Sequence, residues 1–335
     1  MKNEAAKKKV VERLLKAQKI TIMTHEGADA DGIGCEIALG SALERLGKKV
    51  LIMNNEPVIG KFRFLDPRNK ITVYSGKREG EFKNSDLIVL LDTCEVRRTG
   101  KASDVLKKYT HKITYIDHHQ PQPGDDEYND MEGVAMPEAS SAGEIVLDVI
   151  EMMPVEMDLQ LASPLLAAII FDTLSFRYIR NNPSPLLKSA KLIALGADAT
   201  AIQTTLFSSK RKDFLILLGR ALEKMQFMHG DRLACSAITK EMTEDITVDR
   251  DDLRSVITYL IEIGSVEAAV IFKETEDRKI KVSMRAKNSM SILSIAQKFG
   301  GGGHHQAAGC DLDGSLDEVK EKILKEFEAK FFTCS

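Results

Sequence analysis

Apolar and polar positions alternate in blocks along the first half of the chain, and each block has the length of one element. Val10, Val11, Leu14 and Leu15 fall at helical spacing and predict an opening helix. Residues 19–24 are rich in Ile and Thr and predict a buried strand. A helix follows to about Leu46, where Gly47 stops it. Residues 49–53, 86–91 and 112–116 predict three more strands. The second of these is almost wholly apolar, as a strand covered on both faces should be. Strands separated by helical patterns predict a parallel α/β sheet. Residues 128–138 are polar and read as a surface loop, 140–153 as a helix, and 164–171 as a helix or buried segment leading to Asp172.

Helical patterns without strands then run to about residue 228, and at residue 232 the pattern resets. A strand (233–239), an amphipathic helix (250–263), a hairpin (267–272 with 279–285), a short helix (291–299), four glycines (300–303) and a last helix (316–331) predict a smaller α+β domain. The expected organisation is a catalytic α/β domain over 1–190, a helical linker over 191–228 and a second domain over 229–335. A length of 335 residues supports two domains, each with its own core.

Charge narrows the function. With 47 Lys+Arg against 50 Asp+Glu, the net charge is −3, which excludes a chain-wide basic footprint for duplex nucleic acid but not a small basic pocket. The cysteines at 35, 94, 235, 310 and 334 form no C-x-x-C, which argues against a disulfide framework or a structural zinc finger and fits the cytoplasm. Residues 1–9 are charged and lack the apolar stretch of a signal peptide. No apolar run approaches the roughly 18 residues that would span a membrane.

The candidate chemistry follows the apolar segments. His25, Asp29 and Asp31 come after the first strand, Asp92 after the third, Asp117, His118 and His119 after the fourth, and Asp172 after the 164–171 segment. Taken singly, Asp29, Asp31 and Asp92 also fit helix caps, and His25 fits a packed core imidazole. Taken together, four segment ends with the same chemistry predict one cluster at the carboxyl edge of a parallel sheet. Carboxylates crowded this way must take up protons or cations. Mixed oxygen and nitrogen donors without Cys suit Mn²⁺, Fe, Co or Zn better than Ca²⁺. Two such ions, about 3.5–4 Å apart, would activate water and clamp phosphoryl oxygens, so phosphate-ester hydrolysis is the expected reaction. The glycines at 300–303 lead into His304-His305-Gln306-Ala307-Ala308-Gly309; a helix starting there would add an anion-binding N-terminus, and Arg285 could supply a bidentate phosphate contact.

The four segment-end groups resemble the motifs of the DHH phosphoesterase superfamily, named for the triplet present here as Asp117-His118-His119. The glycine run with His304 is similar to the signature of the DHH-associated second domain. Within the superfamily the short two-domain form is most similar to the nanoRNase/pAp phosphatase group, which trims very short RNAs and dephosphorylates 3′-phosphoadenosine 5′-phosphate (pAp). The resemblance implies that His25 and Asp29 hold one Mn²⁺, that Asp31, His118 and Asp172 hold a second, and that Asp92 bridges them. It implies that His119 contacts the scissile phosphate, with Asp117 orienting it. Arg285, Gly302, Gly303 and His304 would hold the distal phosphate or nucleotide, with Arg177 as a further phosphate contact. The implied partner is a short single-stranded RNA or small nucleotide; a homodimer is compatible with the chain. Cyclic-di-AMP or pApA hydrolysis, pyrophosphate or polyphosphate hydrolysis, and nucleotide sensing without turnover are the competing readings. The first motif departs from the family's usual Pro-Asp-x-Asp-Ala-x-Gly-Ser, with Ala28 for Pro, Gly32 for Ala and Cys35 for Ser; Leu174 stands where the fourth motif commonly has Gly.

Overall fold

The computed structural model describes residues 2–119, 131–179, 181–208, 211–248, 250–275, 279–287 and 290–332. The chain divides into two compact units, Met1–Ser209 and Lys210–Ser335.

In the first unit, β1 (Lys19–Met23), β2 (Lys49–Asn54), β3 (Ile71–Val73), β4 (Leu87–Leu91), β5 (Ile113–Asp117) and β6 (Glu132–Ala135) form a sheet in the order β3-β2-β1-β4-β5-β6. Every pairing is parallel. Its helices are α1 (Lys2–Lys16), α2 (Ala30–Arg45), α3 (Glu79–Asn84), α4 (Ser103–Leu106), α5 (Ala142–Glu151), α6 (Leu159–Asp172), α7 (Ser184–Ala194) and α8 (Ala199–Phe207). The apolar run of β4 has a direct cause. Leu87, Val89 and Leu91 enter the core with α1, α2, α5 and α6, while Ile88 and Leu90 enter the core with Phe82 and Leu106 on the other face. The strand order turns back between β1 and β4, where parallel sheets open a crevice at their carboxyl edge.

Two strands escaped the apolar pattern. β3 has only three residues, and β6 lies in the stretch expected to be a loop, of which 128–130 are outside the described residues. Pairing with β5 decides β6: a Cβ on Gly133 would sit 2.5 Å from the Tyr115 ring, so glycine permits the approach. α6 begins earlier than expected because Asp158 caps it, accepting from the amides of Gln160 and Leu161. The helices of 191–228 are shared between cores. Leu192, Ile202 and Leu206 bury in the first unit, and Phe214 and Leu217 of α9 (Lys212–Glu223) in the second.

In the second unit, β7 (Gln226–Met228), β8 (Leu233–Ile238), β9 (Ala268–Glu274), β10 (Lys279–Ala286), β11 (Gly302–His304) and β12 (Ala307–Asp313) form a sheet in the order β11-β12-β10-β9-β8-β7. Only β8 and β9 run parallel. α9 and α10 (Arg250–Ile261) pack on one face, and α11 (Leu293–Lys298) and α12 (Leu316–Phe327) on the other. The glycine run does not open a helix. It leads into the β11–β12 hairpin, so the expected helix N-terminus is absent there. Close strand approach explains the small residues. A Cβ on Gly301 would lie 2.1 Å from the Gly309 oxygen, and one on Gly309 would lie 2.7 Å from the Val282 oxygen.

Candidate metal centre

Three strand ends and two helix ends meet in the first unit. His25 follows β1, Asp92 follows β4, and Asp117 ends β5 with His118 and His119 behind it. Asp29 is the N-cap of α2, Asp31 lies in its first turn, and Asp172 is the last residue of α6. The fourth group therefore comes from a helix terminus rather than a strand. Small residues let the helices close behind the cluster. A Cβ on Gly34 would meet the Pro164 oxygen at 2.4 Å, and one on Gly143 would meet the Ala168 Cβ at 2.7 Å.

The donor atoms fall into three overlapping groups, each spanning less than 4.8 Å: His25, Asp29 and Asp92; Asp92, His118 and His119; Asp31, His118 and Asp172. Asp92 Oδ2 lies 3.3 Å from His25 Nε2, and its Oδ1 lies 3.3 Å from His118 Nε2. His118 Nε2 is also 3.2 Å from Asp172 Oδ2 and 3.8 Å from Asp31 Oδ2, and His25 Nε2 is 4.0 Å from Asp29 Oδ2.

Backbone groups aim these side chains. His25 Nδ1–H donates to the Glu26 oxygen at 2.9 Å, which turns Nε2 toward the carboxylates. Asp29 Oδ1 accepts from the Asp31 amide at 2.9 Å, so the cap reading and the cluster reading both hold for this residue. Asp31 accepts from the amides of Ala142 and Gly143, at 2.7 and 2.8 Å, at the start of α5. Asp117 Oδ1 accepts from the His119 amide at 3.0 Å and from its Nδ1 at 2.7 Å.

The electrostatics fit divalent cations. Burial drives up the carboxyls of Asp29 and Asp31, and the nearby Asp92 charge adds to it; Asp31 ends well above its usual range. Burial raises Asp172 to about 7. Burial also works against the Asp92 charge, but the His118 and His25 rings overcome it and hold that carboxyl below its usual range. Burial likewise lowers His25 and His118, yet the surrounding carboxylates win and lift them to about 9 and about 10. Without an ion, protons on these two rings supply the positive charge. Asp92 Oδ1 is buried and satisfied by no hydrogen bond, with His118 Nε2 3.3 Å away. A buried carboxylate oxygen with free lone pairs, facing the ring nitrogens of His118 and His119, suits a shared metal ligand.

The remaining sequence candidates scatter. Arg177 is exposed on the turn after α6 and belongs to none of the three groups. Arg285 lies on β10 opposite Ala307, with a guanidinium N–H donating to the Met284 oxygen. Gly302 and Gly303 lie on β11; the His304 side chain lies outside the described residues. Of the aromatic residues near the end of α6 and α8, Phe207 lies parallel to Phe171 and Phe176 packs against the core, while Tyr178 is 61% exposed. Sequence reasoning missed the Ala142 and Gly143 amides, though the small Ser140-Ser141-Ala142-Gly143 string before a helix was a usable signal. It also missed Glu36, buried on α2 and accepting from Asn54 Nδ2 at 2.7 Å; burial raises its carboxyl to about 8. Leu174, Ser175 and Phe176 all have positive φ (46°, 59° and 68°), so the left-handed turn survives the loss of glycine at 174.

An aspartate–histidine cluster at the carboxyl edge of a parallel α/β sheet is a site that could hold metal ions. The DHH family N-terminal domain matches residues 19–169, and the DHHA1 domain matches residues 231–331. The bifunctional oligoribonuclease and PAP phosphatase NrnA of Thermus thermophilus is 31% identical over 324 residues, covering 95% of this chain and 93% of that protein. The cyclic-di-AMP phosphodiesterase GdpP of Bacillus subtilis is 25% identical over 341 residues, covering 96% of this chain but 49% of that protein. The crystal structure of an exopolyphosphatase-related protein from Bacteroides fragilis superposes with a TM-score of 0.89 at 23% identity, covering 97% of each chain. The chain belongs to the DHH family of phosphoesterases.

Proposed function

We propose that this chain is a two-metal phosphoesterase, using Mn²⁺, that hydrolyses short oligoribonucleotides and pAp. The carrying observation is Asp92, whose two oxygens lie 3.3 Å from imidazoles of two different ligand groups. His25 and Asp29 would hold one ion, Asp31, His118 and Asp172 the other, and Asp92 both. Bound there, divalent ions supply an acidified water and neutralise phosphoryl oxygens. With its Nδ1–H committed to Asp117, His119 offers Nε2 to the substrate, and when Nε2 carries a second ring proton it can donate that proton to the leaving oxygen. Asp117 fixes that tautomer and ring orientation. The second unit would recognise substrate through Arg285, Gly302, Gly303 and His304, and Arg177 would contact a phosphate from the first. The oligoribonuclease and PAP phosphatase relative supports this substrate class, because it matches along nearly its whole length.

The test is a Mn²⁺-supplemented assay of pAp, a diribonucleotide, cyclic-di-AMP and pyrophosphate. Phosphate released from pAp and mononucleotides from the dinucleotide are expected. Faster turnover of cyclic-di-AMP would favour the second reading, which the match to GdpP supports. Tight nucleotide binding with no turnover of any substrate would overturn both in favour of a sensor.

A further inference from the structure

Asp92 carries a backbone that its side chain alone does not explain. Its φ is +58°, a left-handed conformation that most L-residues avoid. Such a backbone persists only where its surroundings fix it. The peptide group between Leu91 and Asp92 is held at both ends. Its N–H donates to the Ile116 oxygen at 2.9 Å, on the β5 side. Its carbonyl, the Leu91 oxygen, accepts from Thr24 Oγ1 at 2.8 Å, on the β1 side. β1 ends at Met23, and the Thr24 amide turns to Asn54 Oδ1 at 3.4 Å. The Thr24 hydroxyl, fully buried, thus does for Leu91 what a further strand residue would have done.

Room for that hydroxyl comes from α2. A Cβ on Gly32 would lie 2.3 Å from Thr24 Oγ1, far inside contact distance. Glycine within a helix is less favourable than Ala, so its presence in the first turn needs a cause. The departure from the family's usual Ala at this position then has one: Gly32 and Thr24 are a matched pair.

We propose that the Thr24 hydroxyl is a positioning residue for Asp92, fixing the Leu91–Asp92 peptide so that the carboxylate reaches both histidine groups, and that Gly32 is glycine to admit it. This rests on the reading of Asp92 as a metal ligand. The Thr24 hydroxyl donates to the Leu91 backbone oxygen and its amide to Asn54, so its role is through the backbone.

The test uses the full chain in four variants: Thr24→Ser, Thr24→Ala, Gly32→Ala and the double variant Thr24→Ala/Gly32→Ala. Calorimetric Mn²⁺ titration is the main readout, with urea unfolding of the metal-free proteins and kcat and KM for pAp beside it. Thr24→Ser should bind Mn²⁺ like the wild type, whereas Thr24→Ala should bind about tenfold or more weakly, the loss expected for a supporting partner. kcat should fall with it while KM stays. Gly32→Ala should weaken Mn²⁺ binding and lower the urea midpoint when Thr24 is present, but add little to Thr24→Ala. Equal Mn²⁺ affinity in Thr24→Ala and wild type would overturn the positioning role and leave the metal reading standing. A Gly32→Ala penalty of the same size in both backgrounds would overturn the matched pair. Failure of the wild type itself to bind Mn²⁺ would overturn the metal reading, and with it the ligand role that Thr24 serves.

Discussion

The two sheets bury different kinds of atoms. At the carboxyl edge of the first, His25, Asp31, Asp92, Asp117 and His118 are all buried. In the second unit, Ser236 is the one buried polar residue among the described positions, and its hydroxyl donates to the Ala221 oxygen. Among the described residues of the second unit, no buried side-chain oxygen or nitrogen lacks a hydrogen-bond partner. The first has an Asp92 oxygen with no hydrogen bond, and two rings that the surrounding carboxylates lift to about 9 and about 10. The difference teaches where a ligand's binding energy goes: into a site that the polypeptide has left unbalanced.

The comparison breaks most visibly at Asp92. Asp92→Asn keeps the size and removes the charge, and hydrolysis of pAp should fall by more than about a hundredfold, the upper cost of losing a mere supporting partner. Circular dichroism should stay unchanged. A second test counts protons. Near pH 7, Mn²⁺ must displace protons from His25 and His118, which titrate at about 9 and about 10 in the metal-free protein. Affinity should therefore drop as pH falls from 9 to 7, by about tenfold per pH unit for each proton displaced. Titration calorimetry in buffers of different ionisation enthalpy would measure the release; none would mean the rings are neutral beforehand.

The second unit should respond in stability alone. Gly301→Ala forces a methyl group against the Gly309 oxygen and should cost about 1–3 kcal/mol in urea unfolding, with Mn²⁺ affinity unchanged. A change in affinity would end the division of labour drawn between the units. A further stability test concerns Glu36. Its folded-state carboxyl titrates at about 8, above the usual 4.5 that applies when unfolded. Between those values the native state holds a proton that the unfolded state has lost, so stability falls as pH rises through the window. Glu36→Gln should flatten that fall, seen as a smaller difference between urea midpoints at pH 5 and pH 8.

Most of the first unit was legible because its pattern is redundant. β1, β2, β4 and β5 are apolar enough to declare themselves, and the ligands follow them in sequence. Asp172 was found through its apolar approach, but its element was open, since a continuous buried run such as 164–171 fits either a strand or a helix. β6 was missed because an edge strand needs little apolar surface. The β11–β12 hairpin was missed because its glycines answer to contacts with Gly309 and Ala307 that no local pattern shows. Thr24 and Glu36 were invisible for the same reason: a hydroxyl on the Leu91 oxygen and a carboxyl on Asn54 are facts of packing, not of spacing.

Asp29 divides its two oxygens between the amides of α2 and the His25 ring. Asn, Ser, Thr or Gly can start a helix, and Glu or His can bind a cation, but few side chains do both over so short a reach. Position 29 is therefore closed to drift from two directions. If Asp29 holds an ion as proposed, a substitution that spares the helix would forfeit the ion, and one that spares the ion would fray the helix that carries Asp31.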